Sequence, residues 1–124
     1  MTYTLLPLTD DPYQVFTLDA SIDGEVLHAR FAVRYLPAPG RWFLSLWDNA
    51  SGEALVNGVP LVASVGAVND LFASFRHLRE GKGVGSLFCL RGSEELAARD
   101  PAEGDLSAFH VLFGDTWERG ETDA

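Results

Sequence analysis

A single mainly-β domain, a small antiparallel β-barrel or sandwich with one short helix or covering loop, is the fold class that three features of this chain predict. Apolar residues alternate with polar ones over Val26–Tyr35. Turn signals recur every 8–12 residues, the spacing of short antiparallel strands. The length, 124 residues and 13.5 kDa, suits one core, and a chain of this size buries roughly two thirds of its unfolded surface. The expected organisation is one domain over residues 1–124 with a polar C-terminal tail from about residue 118.

Each element follows from its residues. In Val26–Tyr35 the odd positions Leu27, Ala29, Phe31, Val33 and Tyr35 are apolar, while His28, Arg30 and Arg34 are polar. That is a strand with one wet face. Tyr13–Ala20 is rich in β-formers (Val15, Phe16, Thr17), and Asp23-Gly24 makes the two a hairpin. Pro37-Ala38-Pro39-Gly40 is a stiff connection to Arg41–Asp48, which is apolar on both faces, as in a central strand or one covered by a partner. Asp48–Gly52 turns the chain into Ala54-Leu55-Val56, and Gly58 and Pro60 make that strand an edge or a bend. Between Val65 and Leu78, Asn69 or Asp70 is positioned to cap a short helix through Leu71, Phe72 and Phe75; a loop covering the barrel mouth fits the same residues. Gly81–Gly85 is a flexible loop. Ser86–Arg91 is a strand, Ser93 starts one helical turn that Asp100-Pro101 ends, and Ser107–Phe113 is the last strand.

Charge narrows the function classes. Nine Lys plus Arg against 18 Asp plus Glu give a net charge of −9. Nucleic-acid affinity comes mainly from neutralising phosphates, so direct nucleic-acid binding is not expected, nor is docking on anionic lipid. Cys89 is the only cysteine, so an intrachain disulfide and a Cys-based zinc cluster are ruled out. Met1–Thr4 lacks a basic n-region and an apolar h-region, and no apolar run approaches the ~20 residues of a membrane span. A soluble, reducing compartment is the expectation.

Catalytic signals are thin. Gly81-Lys82-Gly83-Val84-Gly85-Ser86 lacks the spacing and the hydroxyl of a phosphate-binding P-loop, because Gly83 follows Lys82. His28, His77 and His110 share no metal-ligand spacing, and no Gly-x-Ser-x-Gly elbow exists. Cys89 lies in the apolar run Leu87–Leu90, where a thiol packs as a small hydrophobe. The acidic clusters Asp10-Asp11, Glu94-Glu95 and Asp100–Asp105 sit beside Pro and Gly, as solvated loop residues do. No catalytic residue, cofactor or metal ligand is assigned.

Contact signals are stronger. Arg76, His77 and Arg79 with Lys82 form the one basic cluster of an acidic chain, which reads as a protein-interface patch. Three Trp, eight Phe and three Tyr supply aromatic surface. Trp42 and Trp47 lie five apart on one strand and so point to opposite faces; one of them belongs at a rim or interface, where Trp is enriched. Trp42, Trp47 and Phe75 join the basic cluster as interface candidates.

Four runs carry a family resemblance: Leu6-Pro7-Leu8-Thr9-Asp10-Asp11-Pro12-Tyr13-Gln14, Gly40–Asp48 with its aromatic pair, Gly58-Val59-Pro60-Leu61-Val62, and Phe75-Arg76-His77-Leu78. In order and spacing, over about residues 5–90, they resemble the phage baseplate plug family, small structural proteins of contractile tails. The resemblance is weakest over Ser93–Asp105, which reads as an insertion particular to this chain, and nothing is carried over there. It implies a non-enzymatic virion part near the tail tube and hub, with hub, tail-tube and tape-measure proteins as partners. It further implies a ring-like homo-oligomer, assembled in the host cytoplasm. Two rival classes remain open at this stage. One is a small-ligand-binding β-barrel with Trp42, Phe72 and Phe75 lining an apolar mouth. The other is a hydrolase whose carboxylates or histidines, His77 or His110 among them, converge only in the fold.

Overall fold

Hairpins made of neighbouring segments build the larger of two antiparallel sheets. In this computed structural model the described residues are 3–38, 40–64, 70–75, 84–91, 100–101 and 104–116. Strands β2 (Tyr13–Ile22), β3 (Glu25–Leu36), β4 (Arg41–Asp48) and β5 (Ala54–Pro60) pair in that order. The predicted hairpin is present and longer than expected. Ile22 pairs directly with Glu25, so Asp23 and Gly24 alone form the turn, both at positive φ (54° and 88°). Two such central residues are what a hairpin needs to match the twist of its strands. The alternation holds too: Leu27, Ala29, Phe31 and Val33 are buried and Tyr35 is half-buried.

The predicted edge character of β5 is confirmed. Its register against β4 shifts between the Leu44 and Leu46 pairs, where Asn57 and Gly58 bulge out. Gly58 takes φ 70°, and its amide donates to Ser45 Oγ at 2.9 Å.

The smaller sheet joins distant parts of the chain, in the order β1 (Tyr3–Leu5), β7 (Phe109–Gly114), β6 (Ser86–Arg91). Strand β1 was not anticipated; three residues are too few to display a period. The last strand begins at Phe109, because Leu106–Ala108 form a 3₁₀ turn.

The core lies between the sheets. Phe31 of β3 meets Phe113 of β7 edge-on at 5.2 Å, and Leu87, Cys89 and Val111 bring the smaller sheet's inner face to Leu44, Leu46 and Val56 of the larger. The arrangement is sandwich-like, and the barrel alternative is corrected. On one side the chain passes between sheets through Leu61–Ser64, where Leu61 bonds to Trp42 and Ser64 to Cys89. On the other side, among the described residues, no ladder joins β1 to β2. One unpaired seam leaves a barrel open.

The covering segment proves to be one 3₁₀ turn, Ala73–Phe75, rather than an α-helix. Asp70, which with Asn69 was expected to cap a helix here, instead bonds the Phe72 amide just ahead of the turn. Asp70 Oδ1 accepts from the amides of Phe72 (2.9 Å) and Leu87 (3.1 Å), and Oδ2 accepts from the buried Ser86 hydroxyl (2.7 Å). This one carboxylate ties the turn to β6 and drops Phe72 onto Phe113 and Phe75, with ring centroids 5.9 and 6.1 Å apart.

The end of the predicted flexible loop is not free. Val84 and Gly85 are buried, and a Cβ on Gly85 would collide with the Gly114 carbonyl oxygen. The Ser93 turn, residues 81–83 of the glycine loop and the tail from about residue 118 lie outside the described residues.

Candidate protein interface

The outer face of the four-stranded sheet collects aromatic and arginine side chains in register. β2 and β3 put Tyr13 opposite Arg34, and Arg34 in turn faces Phe43 on β4 and, beyond it, Pro60 on β5. One row along lie Val15, Ala32 and Ser45. In the next, Thr17 faces Arg30, which faces Trp47. The Arg30 guanidinium sits over the Trp47 ring, 4.8 Å from its centroid, a cation–π contact that holds both groups flat on the sheet. Tyr13 and Val15 are 62% and 51% exposed. Among the described residues neither Arg30 nor Arg34 has a carboxylate partner. Aromatic residues and Arg are the types enriched where proteins bind one another and dominate the binding energy there.

The two tryptophans separate as their spacing requires. Trp47 lies half-buried on this outer face. Trp42 is 1% exposed, packed in the core with its ring 5.5 Å from Tyr35, so as a surface contact it is corrected. It shares the parity of Leu44 and Leu46, whereas Trp47 shares that of Ser45, and the serine was the available signal. Phe75 is half-buried at the covering turn against Phe72. Arg76, His77, Arg79 and Lys82 lie outside the described residues. Tyr13, Val15, Arg30, Arg34 and Phe43 were not named as candidates, because adding them to Trp47 requires the register of three strands.

The mouth imagined for a ligand-binding barrel is filled. Trp42 and Phe72 are both buried in the shared core. His28 Nδ1 lies 2.7 Å from Asp19 Oδ1 on the exposed face, and His110 is exposed on β7. Cys89 is fully buried; desolvation first, and then the charge of Asp100, push its thiol up to about 12. A thiol so far from ionisation at neutral pH is no nucleophile.

Asp10 and Asp100, expected to be solvated, act as clasps between loops, and so do the turn residue Asp23 and Asp115. Asp10 accepts from the amide and hydroxyl of Ser107 (2.7 and 2.9 Å). Asp23 accepts from the amide and hydroxyl of Thr116 (2.9 and 2.6 Å), and Asp115 accepts from the Asp23 amide. Asp100 accepts from Arg41 and from the Ala63 amide. The opening motif has a local logic as well: Gln14 Oε1 accepts from the Thr9 amide and its Nε2 donates to the carbonyls of Thr9 and Asp11. One glutamine thereby pins the loop that leads into β2.

A model of one protein family, described as "Cyanophage baseplate Pam3 plug gp18", matches residues 3–116. The chain belongs to this family. The match covers both sheets and the loop pinned by Gln14, and it agrees with the resemblance carried by the four sequence runs. The protein is accordingly a structural component of a bacteriophage tail baseplate, in the cyanophage plug family. A search of curated proteins finds no match.

Proposed function

We propose that this plug-family protein helps to close or connect the central tail tube and hub by packing against hub, tail-tube and tape-measure proteins, with copies of the chain side by side around the tail axis. The work is steric. The host cytoplasm holds the chain until assembly. What carries the reading is the outer face of the four-stranded sheet. There Trp47, Phe43 and Tyr13 alternate with Arg30 and Arg34, and no carboxylate on the described chain pairs with either arginine. The chain's net charge of −9 keeps it from trapping DNA that passes the tube, since like charges repel within a Debye length. Phe75 and the basic run Arg76, His77, Arg79 and Lys82 are secondary contact candidates on composition.

Trp47→Ala tests the face. The ring is half-buried on a sheet surface, so the change costs the isolated protein about 1 kcal/mol or less by thermal unfolding. Incorporation into particles, counted by mass spectrometry of purified virions, falls at least tenfold. A folded variant incorporated at the wild-type level removes the outer face from the assembly contact.

A further inference from the structure

We infer that the free edge of β2 accepts an extended segment of a neighbouring protein as a fifth strand, and that this segment is alternately apolar with a Lys or Arg opposite Asp19. The inference concerns the backbone edge of β2, whereas the outer face acts through side chains, Val15 and Thr17 belonging to both, and either can fail alone.

Backbone geometry identifies the edge. Ile22 pairs with Glu25 across a two-residue turn, and the Tyr35 amide donates to the Pro12 carbonyl at 2.8 Å. Even-numbered residues of β2 therefore direct their N–H and C=O toward β3, and odd-numbered ones direct theirs away. Tyr13 has its amide capped by Asp11 Oδ1 at 3.0 Å. Val15, Thr17, Asp19 and Ser21 follow. All four are exposed, and among the described residues none of their backbone groups has a hydrogen-bond partner. Val15 to Ser21 span about 20 Å at ~3.4 Å per residue.

The other edges are guarded and this one is not. β5 carries a bulge and Pro60. β6 has its outer carbonyls taken by the amides of Ser64 and Leu71. β1 is three residues long. Strand β2 has no proline, no lysine and no register shift over its whole length. Its inward-facing Phe16 and Leu18 pack against the core yet remain half-exposed. Natural sheets blunt long regular edges that are meant to stay alone, and strand addition uses those left open: main-chain bonds supply affinity and alternate side chains supply specificity.

The charge of the edge selects the occupant. Asp19, the one charged residue of β2, sits mid-strand with its Oδ1 2.7 Å from His28 Nδ1 on β3, and Asp11 and Asp23 flank the strand on a chain of net −9. A second copy paired in the register that sets Asp19 opposite Asp19 would oppose like charges, which is destabilising. A segment with a basic residue at that position, and apolar residues opposite Phe16 and Leu18, meets both requirements.

The test uses the full chain, isotopically labelled, and a synthetic nine-residue peptide alternating Val or Leu with Thr and carrying one central Lys; the control peptide has Glu in its place. Amide exchange is followed by NMR. With the Lys peptide at saturation, exchange of the Val15, Thr17, Asp19 and Ser21 amides slows at least tenfold, whereas Phe16 and Leu18, already bonded to β3, are unchanged. The Glu peptide gives less than a third of the effect. Thr17→Pro removes one outward N–H without touching the β3 ladder and abolishes it. Asp19→Lys, which leaves every backbone bond in place, reverses the preference between the peptides. Unchanged exchange at the four amides overturns the inference, as does equal protection by both peptides. Protection that appears without peptide and grows with protein concentration gives the edge to a second copy and overturns it too.

Discussion

The two sheets of this protein are held together by different kinds of contact. The four-stranded sheet is assembled from consecutive hairpins, β2 to β5, each closed by a turn of a few residues. The three-stranded sheet brings β1, from the chain's beginning, beside β7, from near its end. Short loops close at small entropic cost, while joining distant segments needs tertiary contacts to hold them. Those contacts are visible as carboxylate clasps. Asp70 binds β6 to the covering turn, Asp23 binds the first hairpin to the end of β7, Asp10 reaches Ser107, and Asp100 reaches Arg41 and Ala63. The hairpin sheet stands on local pattern; its partner stands on pinning.

This difference can be broken at glycine. Gly85→Ala at the entry to β6 forces a Cβ against the Gly114 carbonyl at a φ of 81°, and should cost about 4 kcal/mol or leave the protein unfolded. Gly24→Ala in the first hairpin keeps the same kind of backbone strain but meets open space at φ 88°, and should cost about 1–2 kcal/mol. Urea titrations of the two variants give the contrast; equal losses would mean that the smaller sheet is not specially dependent on close approach.

The clasp comes next in size. Asp70→Ala leaves the buried Ser86 hydroxyl and the Leu87 amide without their acceptor, at about 2–3 kcal/mol. The loss should register in urea midpoint and as faster amide exchange at Leu87, while β3 amides keep their order of protection. Exchange that accelerates equally in both sheets would show the two unfolding as one unit.

The mildest probe is alkaline pH. Burial raises the Cys89 thiol from 9.0 to about 12. The folded chain therefore holds a proton that the unfolded chain releases, so this group's contribution is intact below pH 9 and declines as pH rises toward 12. Cys89→Ala flattens that part of the profile at the cost of a small cavity. The comparison to make is the difference between the wild-type and variant stability curves from pH 8 to 11. A constant difference would remove the thiol from the linkage.

Much of this architecture was legible in the chain before any coordinates. The alternation from Leu27 to Val33 named the buried face of β3, because a half-buried strand must repeat every two residues. Asp23-Gly24 marked its turn, since only such residues accept positive φ cheaply. Arg41–Asp48 was recognisable as an interior strand, and β4 is flanked on both sides. The five-residue offset of the tryptophans required one to face outward. The candidate interface was legible only in part: Trp47 was foreseen, but Tyr13, Arg30, Arg34 and Phe43 become one surface only once three strands are in register.

The amino-acid order alone thus determined local matters, namely which segments extend, where they turn and which side of each strand is apolar, because these depend on neighbours within a few positions. The tertiary structure decided what depends on separated residues. It paired Tyr3–Leu5 with Phe109–Gly114, closed one side of the sandwich through Leu61–Ser64, and left the β2 edge open. It also turned acids that sequence reading left to solvent into clasps, because a carboxylate's partner can lie over ninety residues away, as Ser107 does from Asp10.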